Sequence, residues 1–218
     1  MTRDAASTTS LRALLDRQPV LPVVTLGDAR PAVPLAEALV AGGLPAIEVT
    51  LRTDAALAAL TAMRGVTGAR VGAGTLRTAG DVDAAVAAGA AFGVAPGATP
   101  ALLDAAEAAG LPFMPGAQTP SEVMALAARG YDLLKFFPAA AGGGPAALRA
   151  LAGPFPGIAF CPTGGVTPAD APDYLALANV ACVGGSWLTP PAALARGDWT
   201  AIRAAAARAA ALTTREAT

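Results

Sequence analysis

Histidine is absent from this chain, and lysine is nearly so: Lys135 stands alone against fourteen arginines. Without histidine there is no Ser-His-Asp triad, no Cys-His pair and none of the usual zinc sites. A catalyst built from this sequence works with lysine, carboxylates, tyrosine or backbone groups. Cysteine is scarce too. Cys161 and Cys182 fall in strand-like segments, which fits buried reduced thiols, although adjacent strands are able to bring two such residues close. Long apolar runs are missing, because Gly, Pro or a charge interrupts each hydrophobic stretch, so nothing reads as a membrane span. Met1-Thr2-Arg3-Asp4-Ala5 leads into mixed polar sequence without the apolar centre of a signal peptide. Net charge is −1, with no basic cluster to attract nucleic acid. The expectation is a cytoplasmic protein whose partner is a small molecule, with neither nucleic acid nor membrane involved. Most Asp and Glu residues fall at helix starts or on helix faces, so no metal is expected; no other cofactor is expected either.

What is present is regularity. The chain has 218 residues, 54% of them hydrophobic and many of those alanine, enough for one domain with a substantial core. Strand-like runs alternate with Ala-rich helical stretches. The runs are Val23 to Leu26, Ala46 to Leu51, Arg70 to Thr75, Phe92 to Pro96, Phe113 to Pro115, Leu133 to Phe137, Ile158 to Pro162 and Ala181 to Gly184. Each precedes a helical stretch, the last being Trp199 to Leu212, and another helix near Ser10 to Arg17 comes before the first. Helix starts repeat one chemistry in Pro96-Gly97-Ala98-Thr99-Pro100, Pro115-Gly116-Ala117-Gln118-Thr119-Pro120 and Thr163-Gly164-Gly165-Val166-Thr167-Pro168. Glycine permits a tight strand exit, threonine caps the helix and proline fits its first turn; Glu122 completes a capping box with Thr119. The pattern predicts an α/β chain, a (β/α)8 TIM barrel with an additional N-terminal helix, as a single domain over 1–218 whose ends, 1–10 and 213–218, are expected to be disordered.

The lone lysine lies between apolar neighbours in Leu133-Leu134-Lys135-Phe136-Phe137-Pro138. A desolvated lysine can serve as a neutral amine nucleophile, whereas guanidinium does not give up its proton. Schiff-base chemistry is the functional reading; a buried stem with the amine reaching solvent is the structural one. Side chains alternate along a strand, so Glu48, Thr50 and Arg52 share a face, as do Leu133, Lys135 and Phe137. Glu48 reads either as general acid and base for Lys135 or as a structural ion-pair partner of Lys135 or Arg52. Arg52 suits a carboxylate, and Thr75 adds a hydroxyl nearby. Gly164-Gly165 and Gly184-Gly185-Ser186 follow the last two strands, where many barrels bind phosphate through backbone N–H groups, although such glycines also simply build turns.

Five motifs in order, Glu48-Val49-Thr50-Leu51-Arg52-Thr53, Val71-Gly72-Ala73-Gly74-Thr75, Lys135-Phe136-Phe137-Pro138, Cys161-Pro162-Thr163-Gly164-Gly165 and Val183-Gly184-Gly185-Ser186-Trp187-Leu188, resemble the bacterial 2-keto-3-deoxy-6-phosphogluconate aldolases, which are also active as 4-hydroxy-2-oxoglutarate aldolases. The resemblance runs from about Pro19 to Trp199. It implies a class I, metal-free lyase, typically trimeric, acting on a 2-oxo acid sugar phosphate. Lys135 then forms the imine and Glu48 shuttles protons. Arg52 and Thr75 hold the pyruvate carboxylate, and Pro96 and Phe137 shape the pocket. Thr163, Gly164, Gly165, Gly184, Gly185 and Ser186 form the phosphate and distal-substrate site. The loop Ala139-Ala140-Ala141-Gly142-Gly143-Gly144-Pro145 departs from commoner relatives in lacking their polar residues. The rival readings are a 2-dehydro-3-deoxy-6-phosphogalactonate aldolase, a sugar-phosphate epimerase using Glu48 as base without an imine, and a non-catalytic sugar-phosphate sensor.

Overall fold

The computed structural model describes residues 11–15 and 17–212. The ends expected to be disordered, 1–10 and 213–218, lie outside the described residues, as do residues 10 and 16 of the expected first helix; residues 11–15 of that helix are helical. Alternation resolves into β1 (Val20–Val24), α1 (Ala32–Ala41), β2 (Ala46–Thr50), α2 (Ala56–Met63), β3 (Arg70–Gly74), α3 (Ala79–Ala87), β4 (Gly93–Val94), α4 (Pro100–Ala108), β5 (Phe113–Met114), β6 (Gly116–Ala117) and α5 (Pro120–Ala128). There follow β7 (Leu133–Phe136), α6 (Gly144–Ala152), β8 (Ala159–Pro162), α7 (Ala171–Leu175), β9 (Val183–Gly185), α8 (Pro191–Arg196) and α9 (Trp199–Ala210).

All strand pairs are parallel. Six strands run in the order β5-β4-β3-β2-β1-β9 and three in the order β6-β7-β8, giving a curled parallel sheet with helices outside it. At one seam the chain passes through Pro115, whose carbonyl accepts the Lys135 N–H at 2.9 Å. At the other, bridges join Phe160 to Val180 and Thr163 to Gly184. The expected strand Phe113 to Pro115 is observed only as Phe113–Met114, and pairing resumes beyond Pro115 at Gly116–Ala117, because proline has no N–H to give a ladder. β1 begins at Val20 rather than at Val23. Val20, Leu21 and Pro22 pair with Val183, Gly184 and Gly185 at the far end of the chain, a partnership that local patterning cannot reveal.

The period of two separates the interior of the curl from the helix-covered side. Val20, Val24, Ile47, Val49, Val71 and Ala73 point outward and pack with helical residues such as Leu35, Leu39, Leu60 and Ile202. Leu21, Ala46, Phe92, Val94, Met114, Leu133, Ala159 and Cys161 form a second, inner cluster together with Leu11 and Leu15. Buried Gln18 ties the strand starts together: its Nε2 donates to Val20 O at 2.9 Å and Ala46 O at 2.8 Å, and its Oε1 accepts Ala46 N–H at 2.8 Å. A buried amide with three bonds satisfies its polar atoms where an apolar side chain would leave strand ends unpaired.

Threonine side chains cap the starts of α3, α4 and α5. Thr99 accepts from Leu102 N–H, and Thr119 and Thr78 each make capping boxes, with Glu122 and Asp81. Thr167 makes the reciprocal bonds expected of a cap, its N–H donating to Asp170 Oδ2 at 3.3 Å, but over a turn rather than the first turn of the regular helix. Its hydroxyl donates to Asp170 Oδ2 at 2.7 Å and accepts Asp170 N–H at 3.3 Å, closing a turn over 167–170, so α7 begins only at Ala171. Cys161 and Cys182 are both buried and are not joined in a disulfide. Among the described residues no helix is long and apolar enough to cross a membrane.

Candidate functional site

Glu48 and Lys135 come from the inward faces of β2 and β7, in different sheets, and meet inside the curl. Lys135 Nζ donates to Glu48 Oε1 at 3.3 Å, with the two side chains 3% and 1% exposed. Glu48 Oε2 is buried and has no hydrogen-bond partner among the described residues. Taking an ammonium and a carboxylate out of water costs several kcal/mol per ion, and one charge-assisted contact rarely returns it. The unpartnered oxygen adds to that cost. Such a pair is a poor device for stability and a good one for chemistry, since it holds a nucleophile beside a proton acceptor. The ring of Phe137 lies with its centroid 5.3 Å from Nζ, so the cation also faces an aromatic surface.

Next to this pair, Thr50 is buried and its hydroxyl donates to Val24 O at 3.2 Å, while the Thr25 and Thr50 hydroxyl oxygens are 2.7 Å apart. Arg52 follows the end of β2, where its N–H reaches back to Thr50 O at 2.9 Å. Its Nε donates to Thr75 Oγ1 at 3.2 Å, and among the described residues its side chain makes no other hydrogen bond. The terminal amino groups therefore remain for a planar anion. Thr75 sits at φ 64, a left-handed conformation that a β-branched residue adopts only when its surroundings impose it. The expected neighbourhood of Glu48, Lys135, Arg52 and Thr75 is thus assembled from β2, β3 and β7, with Arg52 bonded to Thr75 and not to Glu48.

The other expected residues divide into two kinds. Pro96 and Phe137 are half-buried at strand exits. Thr163 is buried; its hydroxyl donates to Cys161 O at 3.3 Å and its carbonyl accepts Ala139 N–H at 2.8 Å. Gly164 and Gly165 have φ of 94 and 78. A Cβ at Gly164 would come within 3.0 Å of the Phe137 ring, and one at Gly165 within 2.6 Å of Ala140 Cβ, so side chains there are excluded both by backbone and by space. Gly184 and Gly185 are themselves buried: the first makes room for Thr163, whose Oγ1 lies 2.2 Å from a Cβ built there, the second for the Trp187 ring at 2.7 Å. Ser186 is exposed at the end of β9 and lines an open cleft of about 950 Å³ with Val23, Thr25, Arg196 and Trp199. Sequence reasoning missed Gln18, the Thr25 and Thr50 hydroxyl pair and the space-making glycines of β3. A glutamine just before a strand-like run was the one visible signal.

Comparison with known proteins places this geometry in context. The chain matches the family described as "Aldolase: KDPG and KHG aldolase" over residues 11–205. It is 48% identical over 191 residues to the 2-dehydro-3-deoxy-phosphogluconate aldolase of Pseudoalteromonas atlantica, covering 87% of this chain and 89% of that protein. Among solved structures, the 2-keto-3-deoxy-6-phosphogluconate aldolase of Zymomonas mobilis ZM4 with 3-phosphoglycerate superposes with a TM-score of 0.91 at 42% identity, covering 97% of this chain and 100% of that one. The KDPG aldolase of Legionella pneumophila, with pyruvate captured at low pH as a covalent carbinolamine intermediate, gives 0.88 at 43% identity and covers 91% and 97%.

Proposed function

The chain belongs to the KDPG and KHG aldolase family, and from that premise we propose that it is a Schiff-base aldolase. It cleaves 2-dehydro-3-deoxy-6-phosphogluconate to pyruvate and glyceraldehyde 3-phosphate, and also takes 4-hydroxy-2-oxoglutarate to pyruvate and glyoxylate. The observation that carries the mechanism is the buried contact of 3.3 Å between Lys135 Nζ and Glu48 Oε1, with the second carboxylate oxygen unpartnered among the described residues.

Lys135 Nζ adds as the neutral amine to the C2 ketone, and loss of water leaves a protonated imine. Glu48 takes the proton of the C4 hydroxyl, directly or through water, and the C3–C4 bond breaks. Its electron pair moves into the imine as an enamine while C4 leaves as the aldehyde carbonyl. Glu48 returns a proton to C3, and water hydrolyses the imine to free pyruvate and Lys135. Arg52 and Thr75, already bonded to each other, hold the substrate carboxylate. Pro96 and Phe137 wall the pocket. Thr163, Gly164, Gly165 and Ser186 receive the distal hydroxyls and phosphate, with Gly184 and Gly185 beneath them. The Legionella carbinolamine supports the covalent step by analogy. The same proposal includes a closed (β/α)8 barrel, supported by the Pro115 and Thr163 seams, and a cytoplasmic homotrimer.

Because the chain has one lysine, the test is direct. Incubation with pyruvate and borohydride should add one reduced pyruvate, located at Lys135 by peptide mass, and activity should disappear with it. No adduct, or an adduct confined to the amino terminus, sinks the mechanism and leaves an epimerase or a sensor standing.

A further inference from the structure

Gly74 ends β3 and has the backbone of an ordinary strand residue: it is not among the glycines with positive φ, and it pairs in register with Thr50. Nothing in the chain path asks for glycine there. Space does. A Cβ built at Gly74 would lie 2.2 Å from Glu48 Oε1, 2.5 Å from its Cγ and 2.7 Å from its Cδ, all far inside contact distance. We infer that Gly74 is a positioning residue for Glu48, a role that rests on the reading of Glu48 as the proton carrier. By offering no side chain, Gly74 lets the carboxyl lie against β3, so that Oε1 reaches Lys135 while Oε2 stays free for the substrate.

Gly72, two residues earlier on the same face, shows the contrast. A Cβ there would meet the Phe92 ring at 2.2 to 2.5 Å, and that ring is buried in the inner cluster with nowhere to go. At Gly74 the obstructing atoms, Cγ, Cδ and Oε1, all belong to the one unbranched Glu48 side chain, which turns about its own single bonds where a ring cannot. A methyl group at 74 is therefore tolerated by the fold but moves the carboxyl away from Nζ. Glu48 is 0% exposed, so it moves within the site. Misplacing a catalytic group by an ångström costs roughly ten- to hundred-fold in rate.

Gly74→Ala is expected to fold and still to trap pyruvate at Lys135 with borohydride. Its rate of pyruvate C3 proton–deuterium exchange should fall roughly ten- to hundred-fold, with the KM for pyruvate changed less than about three-fold. In a Glu48→Ala background, adding Gly74→Ala should change neither exchange nor Tm further, because the obstructing side chain is gone. Unchanged exchange in Gly74→Ala, or an equal loss in both backgrounds, overturns the positioning role. Should Gly74→Ala alone fail to fold, folding of the Glu48→Ala/Gly74→Ala double variant upholds the clash with Glu48, and its failure to fold overturns it. Glu48→Gln separates the two claims. Full exchange in that variant means the proton carrier lies elsewhere and the functional reading is wrong, whatever happens at position 74. Lost exchange in Glu48→Gln beside normal exchange in Gly74→Ala removes only the positioning role.

Discussion

The interior of the curled sheet has two layers with opposite characters, although the same strands supply both. β2 contributes Ala46 to the lower layer and Glu48 and Thr50 to the upper; β7 contributes Leu133 below and Lys135 above. Below, Leu11, Leu15, Phe92 and Met114 close an apolar cluster. Above it lie a buried ion pair, one of whose oxygens has no partner among the described residues, and a threonine in a left-handed conformation. One layer buries apolar surface and stabilises the fold. The other holds polar groups out of water at a cost that the proposed reaction would account for. A step of two residues along a strand is enough to pass from one to the other.

The largest expected effect lies in the lower layer. Phe92→Ala empties the space beside Gly72, and should lower unfolding free energy by about 3–5 kcal/mol in denaturant titrations. Pyruvate imine formation per folded molecule should survive. If trapping disappears while the protein remains folded, the layers are not separable.

In the upper layer the sign should reverse. Replacing the pair together, Glu48→Leu with Lys135→Met, should leave stability unchanged or raise it by about 1–4 kcal/mol, since two buried charges are exchanged for apolar groups. Imine trapping should vanish. A clear loss of stability in the double variant would mean that the ion pair is structural.

The smallest effect belongs outside both layers, at the exposed start of α5. Glu122 accepts N–H bonds from Gln118 and Thr119, each at 2.8 Å, and the Gln118 backbone bond is the main cause holding its carboxyl below the ordinary glutamate range. A carboxyl with a depressed folded-state pKa contributes stability above its unfolded value and loses it as pH falls through the folded one. Glu122→Gln should thus lower Tm slightly at neutral pH, and its Tm should converge with that of the native protein in acid, below the ordinary glutamate range. Aldol cleavage at neutral pH should not change. A gap that widens in acid contradicts the assignment of the cap.

Much of the scaffold was legible because its signals are local. Thr99-Pro100 and Thr119-Pro120 announce helix starts through their own side chains, and both caps form as the pattern predicts. Thr167-Pro168 carries the same signal, and Thr167 makes the same reciprocal bonds, with Asp170, but they close a turn over 167–170 and the regular helix starts only at Ala171. Strand limits were less readable where partners are distant. The early start of β1 depends on Val183 to Gly185, and the break at Pro115 on a missing N–H. In the site, the lone lysine in an apolar strand and the glutamate on an inward face were visible as types. The Arg52 to Thr75 bond and the purpose of Gly72 and Gly74 were not, since a glycine in a sequence does not say which neighbour needs its space.

The sequence by itself determined the repertoire: no histidine, one lysine, a period of two that sends Glu48 and Lys135 inward, and a repeat of strand, turn and helix. Those follow from covalent chemistry and from the geometry of a strand, which need no partner. Only the tertiary structure decided that Nζ and Oε1 stand 3.3 Å apart, that Oε2 is left without a partner among the described residues, and that β3 stays bare where the carboxyl lies. Residues separated by 87 positions acquire a distance only when the sheet curls, because burial and packing act between surfaces and not along the chain.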